Sequence, residues 1–568
     1  MNPTRAWAAT ERAWAPVVAV LLVVMAAWRP LVLDEEGYLW IARHLDPARP
    51  YDWTRAWPPW DAADSFVYAH PPGHLLWCWA LRDLQDTLPL LRVVAGAPWA
   101  ALTGWAVLRL ARETCHHPHR ATAAWLGSAI VVLGLQDSLM IDLPATALVT
   151  AALACWRTGA RDSAPRPDGW TWAAGALLGA AVCTKYSMGV FAPVLLAHAL
   201  RMRWRGGLLA LGLALGVVVA VEGWLAARYG RLHLAEVWAR RGEIAAGDTG
   251  ARVLGTLARA ALLPLPLVVL RARPALAAGA GLLAMGALLA ERPGGLGFGQ
   301  AGALLGAAFL GALVGVRALE AGLRGATRRR RGDRDDAFLL GGWTLAGMLG
   351  VMALHNYASA RYLLPVAAPA AMLLGRAAEE VRGGKALLAA TTALGALLAG
   401  VMGVAEGRYA RATEDVARQA LAHVAAATRS AGATTRGAAV DAMPAGPGAL
   451  RGRAEPPPQT QDHGPVVIFA GEWGFRAVME RHGATRLVPG RPLPPCAWLV
   501  TATHASPGEV PPLEPVARVE SMDRFWLRVV DVHDGIGLYA ETLGPLPFGT
   551  GNGPLESATL ARTPCPTP

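Results

Sequence analysis

Three consecutive carboxylates, Asp34, Glu35 and Glu36, stand in the stretch LVLDEEGYLWIARHL, directly after the first long apolar run of the chain. Further acids follow in GLQDSLMIDLPATALV (Asp137 and Asp142), a lysine and tyrosine in AVCTKYSMGVFAP (Lys185 and Tyr186), and His355, Arg361 and Tyr362 in LHNYASARYLLPVAAP. His70 lies in FVYAHPPGHLLWCWAL. A carboxylate can take the proton of an attacking hydroxyl or amine, and Lys or Arg can hold a departing phosphate. Such a mixture suits attack on a sugar carbon with loss of a lipid phosphate, provided that all these groups meet at one membrane face. Each group also has a plainer use. Acids at a helix end are ordinary solvated charges, Asp142 before Pro144 can cap a helix, TKY alone is a snorkelling lysine beside an interfacial tyrosine, and HPP alone punctuates a loop.

The elements that carry these residues decide between the two uses. The chain of 568 residues is 54% hydrophobic and 17% charged, with mean hydropathy +0.31, whereas soluble chains carry about 25% charged residues. Apolar runs of about 15 to 24 residues recur between positions 14 and 404, matching the hydrocarbon thickness of a bilayer. The expected fold is mainly α: a polytopic membrane protein with about 13 transmembrane helices plus a small extracytoplasmic α/β C-terminal domain. The N-terminal run lacks a clear small-residue cleavage site and is expected to be retained as the first helix.

A net charge of +11 does not indicate nucleic acid, because the basic residues are scattered through short loops instead of forming one face. With the N-terminus inside, the loops near 1–14, 109–120, 157–169, 201–205, 271–273, 317–336 and 376–385 carry about 23 Lys and Arg, against about 12 opposite, as the positive-inside rule requires. The tetra-arginine at 328–331 is a topology anchor. This orientation in a cytoplasmic (inner) membrane places Asp34, Asp142, His70, Lys185, His355 and Arg361 on the outer face, with everything after residue 404. The long external loop 34–88, rich in Trp, Tyr and Pro, suits a segment lying in the interface.

Two apparent motifs carry nothing. CHHPH at 115–119 has crowded spacing and a cytoplasmic position, and RPGGLGFGQAG has neither a preceding strand nor GK[ST].

Residues 1–404 are expected to form the transmembrane domain, 405–464 a helix and Gly/Pro-rich linker, and 465–568 the C-terminal domain. In that last part PVVIFA, CAWLVTAT and FWLRVVDV read as strands and FRAVMERHG as a helix. Cys496 and Cys565 lie in an oxidising compartment, but their proline-rich loops favour free thiols. Cys78, Cys155 and Cys183 read as packing residues.

The order and wording of these segments resembles the membrane glycosyltransferases of the C-type fold. The resemblance is specifically to the broad family that includes the protein O-mannosyltransferases and the lipid A aminoarabinose transferases. Its pieces are DEEGYLWIARHL, YAHPPGHLLW, DLPATALVTAALACW, TKYSMGVFAP and ARYLLPVAAPAAMLL, spanning residues 34 to 375. The resemblance implies Asp34 as catalytic base, Glu35 as a partner positioning acceptor or catalytic water, and Asp142 as a second acid that supports a metal or the acceptor. Glu36 stands where relatives usually carry a small residue, which leaves the choice of base among the three acids open. Lys185 matches the lysine near the lipid phosphate, and Tyr38, His70, Tyr186, His355, Arg361 and Tyr362 are carried over as substrate contacts. A divalent metal ion held by Asp34, Asp142 and His70 stays open. The implied reaction is a single displacement with inversion, moving a sugar from a polyprenyl-phosphate donor, held among membrane lipid, to an extracytoplasmic acceptor such as a protein, lipid A or another glycolipid. Two rivals belong to other classes: a multi-helix transporter, which would show paired repeats with broken helices at mid-membrane, and a non-catalytic cell-envelope assembly protein.

Overall fold

The computed structural model describes residues 3–565 apart from 33, 56–65, 67, 162–166, 245–248, 265–266, 292–295, 328–332, 356, 441–464, 489 and 506–507. The tetra-arginine anchor, Asn356 and the Gly/Pro-rich linker therefore lie outside the described residues. Five described helices are long and apolar enough to cross a bilayer: Leu88–Thr114, Arg205–Tyr229, Phe298–Ala326, Asp335–Leu354 and Gly384–Ser430. Ala13–Met25 and Pro274–Ala290 are shorter apolar helices. With its charge-poor composition, the chain is a mainly helical, multi-pass membrane protein. One further apolar run, Asp142–Arg161, forms a helix that faces protein on nearly all sides, so its environment is set by neighbouring helices.

The helices that position the site are α1 (Pro3–Met25), α2 (Glu35–His44), α3 (Gly73–Ala80), α4 (Leu88–Thr114), α5 (Asp142–Arg161), α6 (Gly169–Thr184) and α7 (Arg205–Tyr229). Helix α1 packs along α4, α4 along α5, α5 along α6, and α6 along α7. Small residues allow the close crossings. A Cβ on Gly104 of α4 would stand 2.8 Å from the Ala15 carbonyl of α1. A Cβ on Gly73 would stand 2.7 Å from the Cys183 carbonyl, so the HPPG segment sits tight against the end of α6. Asp168 starts α6 by accepting a hydrogen bond from the Thr171 amide at 2.8 Å, an N-cap. Downstream, α8 (Leu364–Glu379) carries Pro365 in its first turn, where proline is favoured. Helix α9 (Gly384–Val440) runs unbroken through the expected boundary at 404.

The chain divides into two compact units. The first contains Met1–Gly407 and Phe525–Asn552; the second contains Arg408–Arg524 and Gly553–Pro568. The expected boundaries assign Phe525–Asn552 to the C-terminal domain, whereas the structure returns it to the first unit. The cause is long-range hydrogen bonding. Arg259, fully buried, donates to the carbonyls of Gly537, Leu538 and Gly544 in that segment.

The second unit is built on a five-stranded sheet of β1 (Val467–Ala470), β2 (Thr485–Arg486), β3 (Trp498–Ala502), β4 (Pro515–Ser521) and β5 (Glu556–Arg562), in the order β2-β1-β3-β5-β4. Strand β1 is parallel to β2 and β3, and β5 is antiparallel to β3 and β4. Helix α10 (Trp473–Arg481) follows β1, where FRAVMERHG predicts it. Its core gathers Phe469, Phe475, Trp498, Val500 and Leu560 with Val416 and Ala420 of α9. The expected third strand, FWLRVVDV, instead forms two-residue strands within the returning segment. The sheet's other strands, β2, β4 and β5, escaped the sequence reading because β2 is only two residues long, β4 lies half exposed at an edge and β5 is rich in small residues.

Cys496 and Cys565 are disulfide-bonded, against the expectation of free thiols. Antiparallel pairing of Trp498 with Arg562 brings the two ends together, a juxtaposition that local spacing cannot show. Replacing both cysteines by serine is expected to lower the stability of the second unit by about 2–4 kcal/mol, read as a reductant-insensitive drop in its unfolding midpoint.

Glu556 supplies a pH dependence in the same unit. It is fully buried and accepts from the amides of Thr503, His504 and Ser557 at 3.0, 2.8 and 2.9 Å, yet burial pushes its carboxyl up to about 7. The folded unit keeps this proton while an unfolded glutamate, with a pKa of 4.5, has released it. Stability is therefore complete below about pH 4.5 and falls as pH rises to about 7, by at most roughly 3 kcal/mol. Glu556→Gln is expected to flatten that slope, measured by amide exchange of β3 and β5 at pH 5 and 8.

Candidate active site

Asp34 occupies the N-cap of α2, but its carboxylate makes no capping hydrogen bond. It is turned to another partner: Arg361 Nη2 donates to Asp34 Oδ2 at 3.1 Å. Arg361 sits in the 3₁₀ turn Ala360–Leu363 that leads into α8, and its Nε lies 3.6 Å from Asp142 Oδ2. Asp142 opens α5, where a carboxylate is favoured by the helix dipole, and its Oδ1 accepts from Lys185 Nζ at 2.5 Å. Lys185 follows the last residue of α6 in extended conformation. Four side chains from four elements thus form one chain of alternating charge, Asp34, Arg361, Asp142 and Lys185. The side chains of Arg361, Asp142 and Lys185 are 12%, 7% and 4% exposed, against 39% for Asp34. Asp142 Oδ2 and Arg361 Nε are buried without a hydrogen-bond partner.

Aromatic rings line this chain. Lys185 Nζ stands 4.2 Å from the centre of the Tyr362 ring, a cation–π distance. His355 stacks on the same Tyr362 ring at 4.0 Å, and the Tyr357 hydroxyl lies 3.4 Å from Arg361 Nη2. Tyr38 is buried and meets His74 edge-on at 4.7 Å. His70 is half-buried, and its carbonyl accepts from the Tyr51 hydroxyl at 2.8 Å. Desolvation, then the nearby Lys185 cation, pushes its imidazole down to about 3, so it is neutral at physiological pH.

Glu35, next to Asp34, has a different fate. It is completely buried and takes both Arg92 nitrogens, at 2.9 and 2.6 Å, and the Val32 amide at 2.9 Å. Arg92 Nη2 also reaches the Pro30 carbonyl at 2.8 Å. The bidentate pair fixes the chain on both sides of position 33. Tyr186 is likewise committed elsewhere: its hydroxyl bonds Glu222 and lies 2.7 Å from His233 Nδ1. His233 stacks on Tyr51 at 4.5 Å, and the Tyr51 amide donates to the Tyr229 hydroxyl at 2.9 Å. This second cluster clasps the loop that carries His70.

Arg92, Glu222 and His233 are structural partners that sequence reasoning missed. Glu222 had a signal, since a lone carboxylate inside a membrane-length apolar helix is rare without purpose.

A divalent ion does not suit this donor set. Among the described residues, no group of three or more His, Cys, Asp or Glu gathers at metal-holding distance. Both Asp142 oxygens face cations, and Asp34 is paired with Arg361. A metal would have to displace two fixed positive charges from the same oxygens.

No family model matches the chain, and no curated protein matches it in sequence. Among solved structures it is similar to ArnT from Cupriavidus metallidurans, in a crystal structure bound to undecaprenyl phosphate, at 17% identity and a TM-score of 0.38, covering 88% of this chain and 93% of that one.

Proposed function

We propose that this chain is a membrane glycosyltransferase that moves a sugar from a polyprenyl-phosphate donor to an extracytoplasmic protein, lipid A or other glycolipid, with inversion. Its proposed setting is the cytoplasmic membrane, with the N-terminus inside and the second unit outside. The observation that supports this reading best is the charge chain, with one accessible carboxylate at its end and two buried cations behind it. Asp34 is the base. The acceptor oxygen attacks the sugar carbon while Asp34 takes its proton. The bond from that carbon to the phosphate oxygen breaks, and the electron pair leaves on polyprenyl phosphate.

Charge is conserved locally in this step. The phosphate gains one negative charge as Asp34 loses its own, so Arg361 is released from Asp34 when a new anion needs it. Lys185 and the unpartnered Arg361 Nε supply the remaining donors, and Asp142 keeps both cations in place. The Tyr362 and His355 rings offer a stacked wall beside the cations.

The test is reconstitution of the purified protein with a radiolabelled polyprenyl-phosphate sugar and membrane acceptors. Labelled acceptor and free polyprenyl phosphate are expected, with inverted anomeric configuration. Sugar uptake into vesicles with no glycan product would sink this reading in favour of transport.

A further inference from the structure

The returning segment Phe525–Asn552 meets the backbone immediately before Arg361. The Ala358 amide donates to the Glu541 carboxylate. The Glu541 amide donates to the Ala358 carbonyl at 3.2 Å, and the Ala360 amide to the Leu538 carbonyl at 3.3 Å. Between these two contacts, the Tyr539 hydroxyl donates to Glu406, the buried carboxylate that pairs with Arg29. Arg29 precedes Pro30, whose carbonyl Arg92 holds, in the strand of chain that leads to Asp34. The segment is a firm support, because Arg259 on the helix Thr249–Ala260 ties down its Gly537, Leu538 and Gly544 carbonyls.

We propose that residues 538–541 are a positioning element of the active site: Glu541 and the Leu538 carbonyl set the turn bearing Arg361, while Tyr539 sets the approach to Asp34. The inference rests on the glycosyltransferase reading and extends it to a part of the chain outside every motif that suggested it. None of the four residues touches the reacting groups. Glu541 and Leu538 act through Arg361, which must face two carboxylates at once, at 3.1 and 3.6 Å. A shift of its turn by an ångström would break one of those contacts, and misplacements of that size are costly in rate.

Three full-length variants test this: Glu541→Ala, Glu541→Gln and Tyr539→Phe. Amide exchange at Ala358 and Ala360 reports the contact whatever the protein does. It is expected to be about tenfold faster in Glu541→Ala and near the wild-type rate in Glu541→Gln, which retains an acceptor oxygen. In the transfer assay, Glu541→Ala is expected to raise the donor KM about tenfold with a smaller change in kcat, and Glu541→Gln to restore it. Tyr539→Phe is expected to raise the donor KM about threefold. Unchanged exchange and unchanged KM in Glu541→Ala overturn the proposal. Where Glu541→Ala does not fold, a wild-type KM in Tyr539→Phe overturns it. Absence of transfer by the wild-type protein overturns the glycosyltransferase reading instead, a failure visible without any variant.

Discussion

Replacing Asp34 by Asn is expected to lower sugar transfer by about 10²–10⁴-fold while leaving the binding of polyprenyl phosphate near the wild-type level. The amide has the shape of the carboxylate and can still accept from Arg361 Nη2, whose contact at 3.1 Å needs only an oxygen. It cannot take the acceptor's proton. It also removes one of the two negative charges that Arg361 faces, so the guanidinium stays available to a lipid phosphate. Transfer and binding must therefore separate, and radiolabel transfer measured beside retention of labelled polyprenyl phosphate shows whether they do. Loss of both together would make Asp34 part of the phosphate site. Persistence of transfer would move the base to another acid, with Glu36 the neighbour to replace next, since Glu35 is sealed against Arg92.

Arg92→Ala is expected to cost about 3–5 kcal/mol of stability. It would leave Glu35, at 0% exposure, as an unpaired charge in a dry interior. It would also free the Pro30 carbonyl and loosen the turn that carries Asp34. Removing the pair together, as Arg92→Met with Glu35→Leu, is expected to recover most of the loss, because similar apolar volume replaces both charges. Unfolding in detergent measures the energies. The double variant also decides what Glu35 does: transfer within about tenfold of wild type assigns it to architecture, and a folded but inactive double variant assigns it to the chemistry.

The residues of the charge chain were legible in the sequence because each is an anomaly where it stands. Asp34, Asp142, Lys185 and Arg361 are charges at the ends of apolar runs, and alternation of the runs predicts that they share a face. What assembles them was not legible. Arg92 looks like any basic residue near a membrane end, and only the fold reveals that it neutralises Glu35. Tyr186 reads as a substrate contact from its place beside Lys185, yet Lys185 is extended while Tyr186 opens the 3₁₀ turn Tyr186–Phe191, and its hydroxyl goes to Glu222 and His233. The disulfide and the path of Phe525–Asn552 depend on pairings more than a hundred residues long or on sheet register. Local pattern carries no information about either.

The out-and-back course of the chain has a consequence for biosynthesis. Ribosomes deliver about 5–20 residues per second, so the 408–524 stretch between the two parts of the first unit takes roughly 6 to 24 s to make. During that interval the helices bearing Asp34, Asp142, Lys185 and Arg361 already exist, without the support of residues 538–541. The nascent protein thus holds its charged groups before it holds them in order. On the proposed positioning role of residues 538–541, transfer competence is expected only once that segment has been made, and chains terminated before it are expected to lack activity.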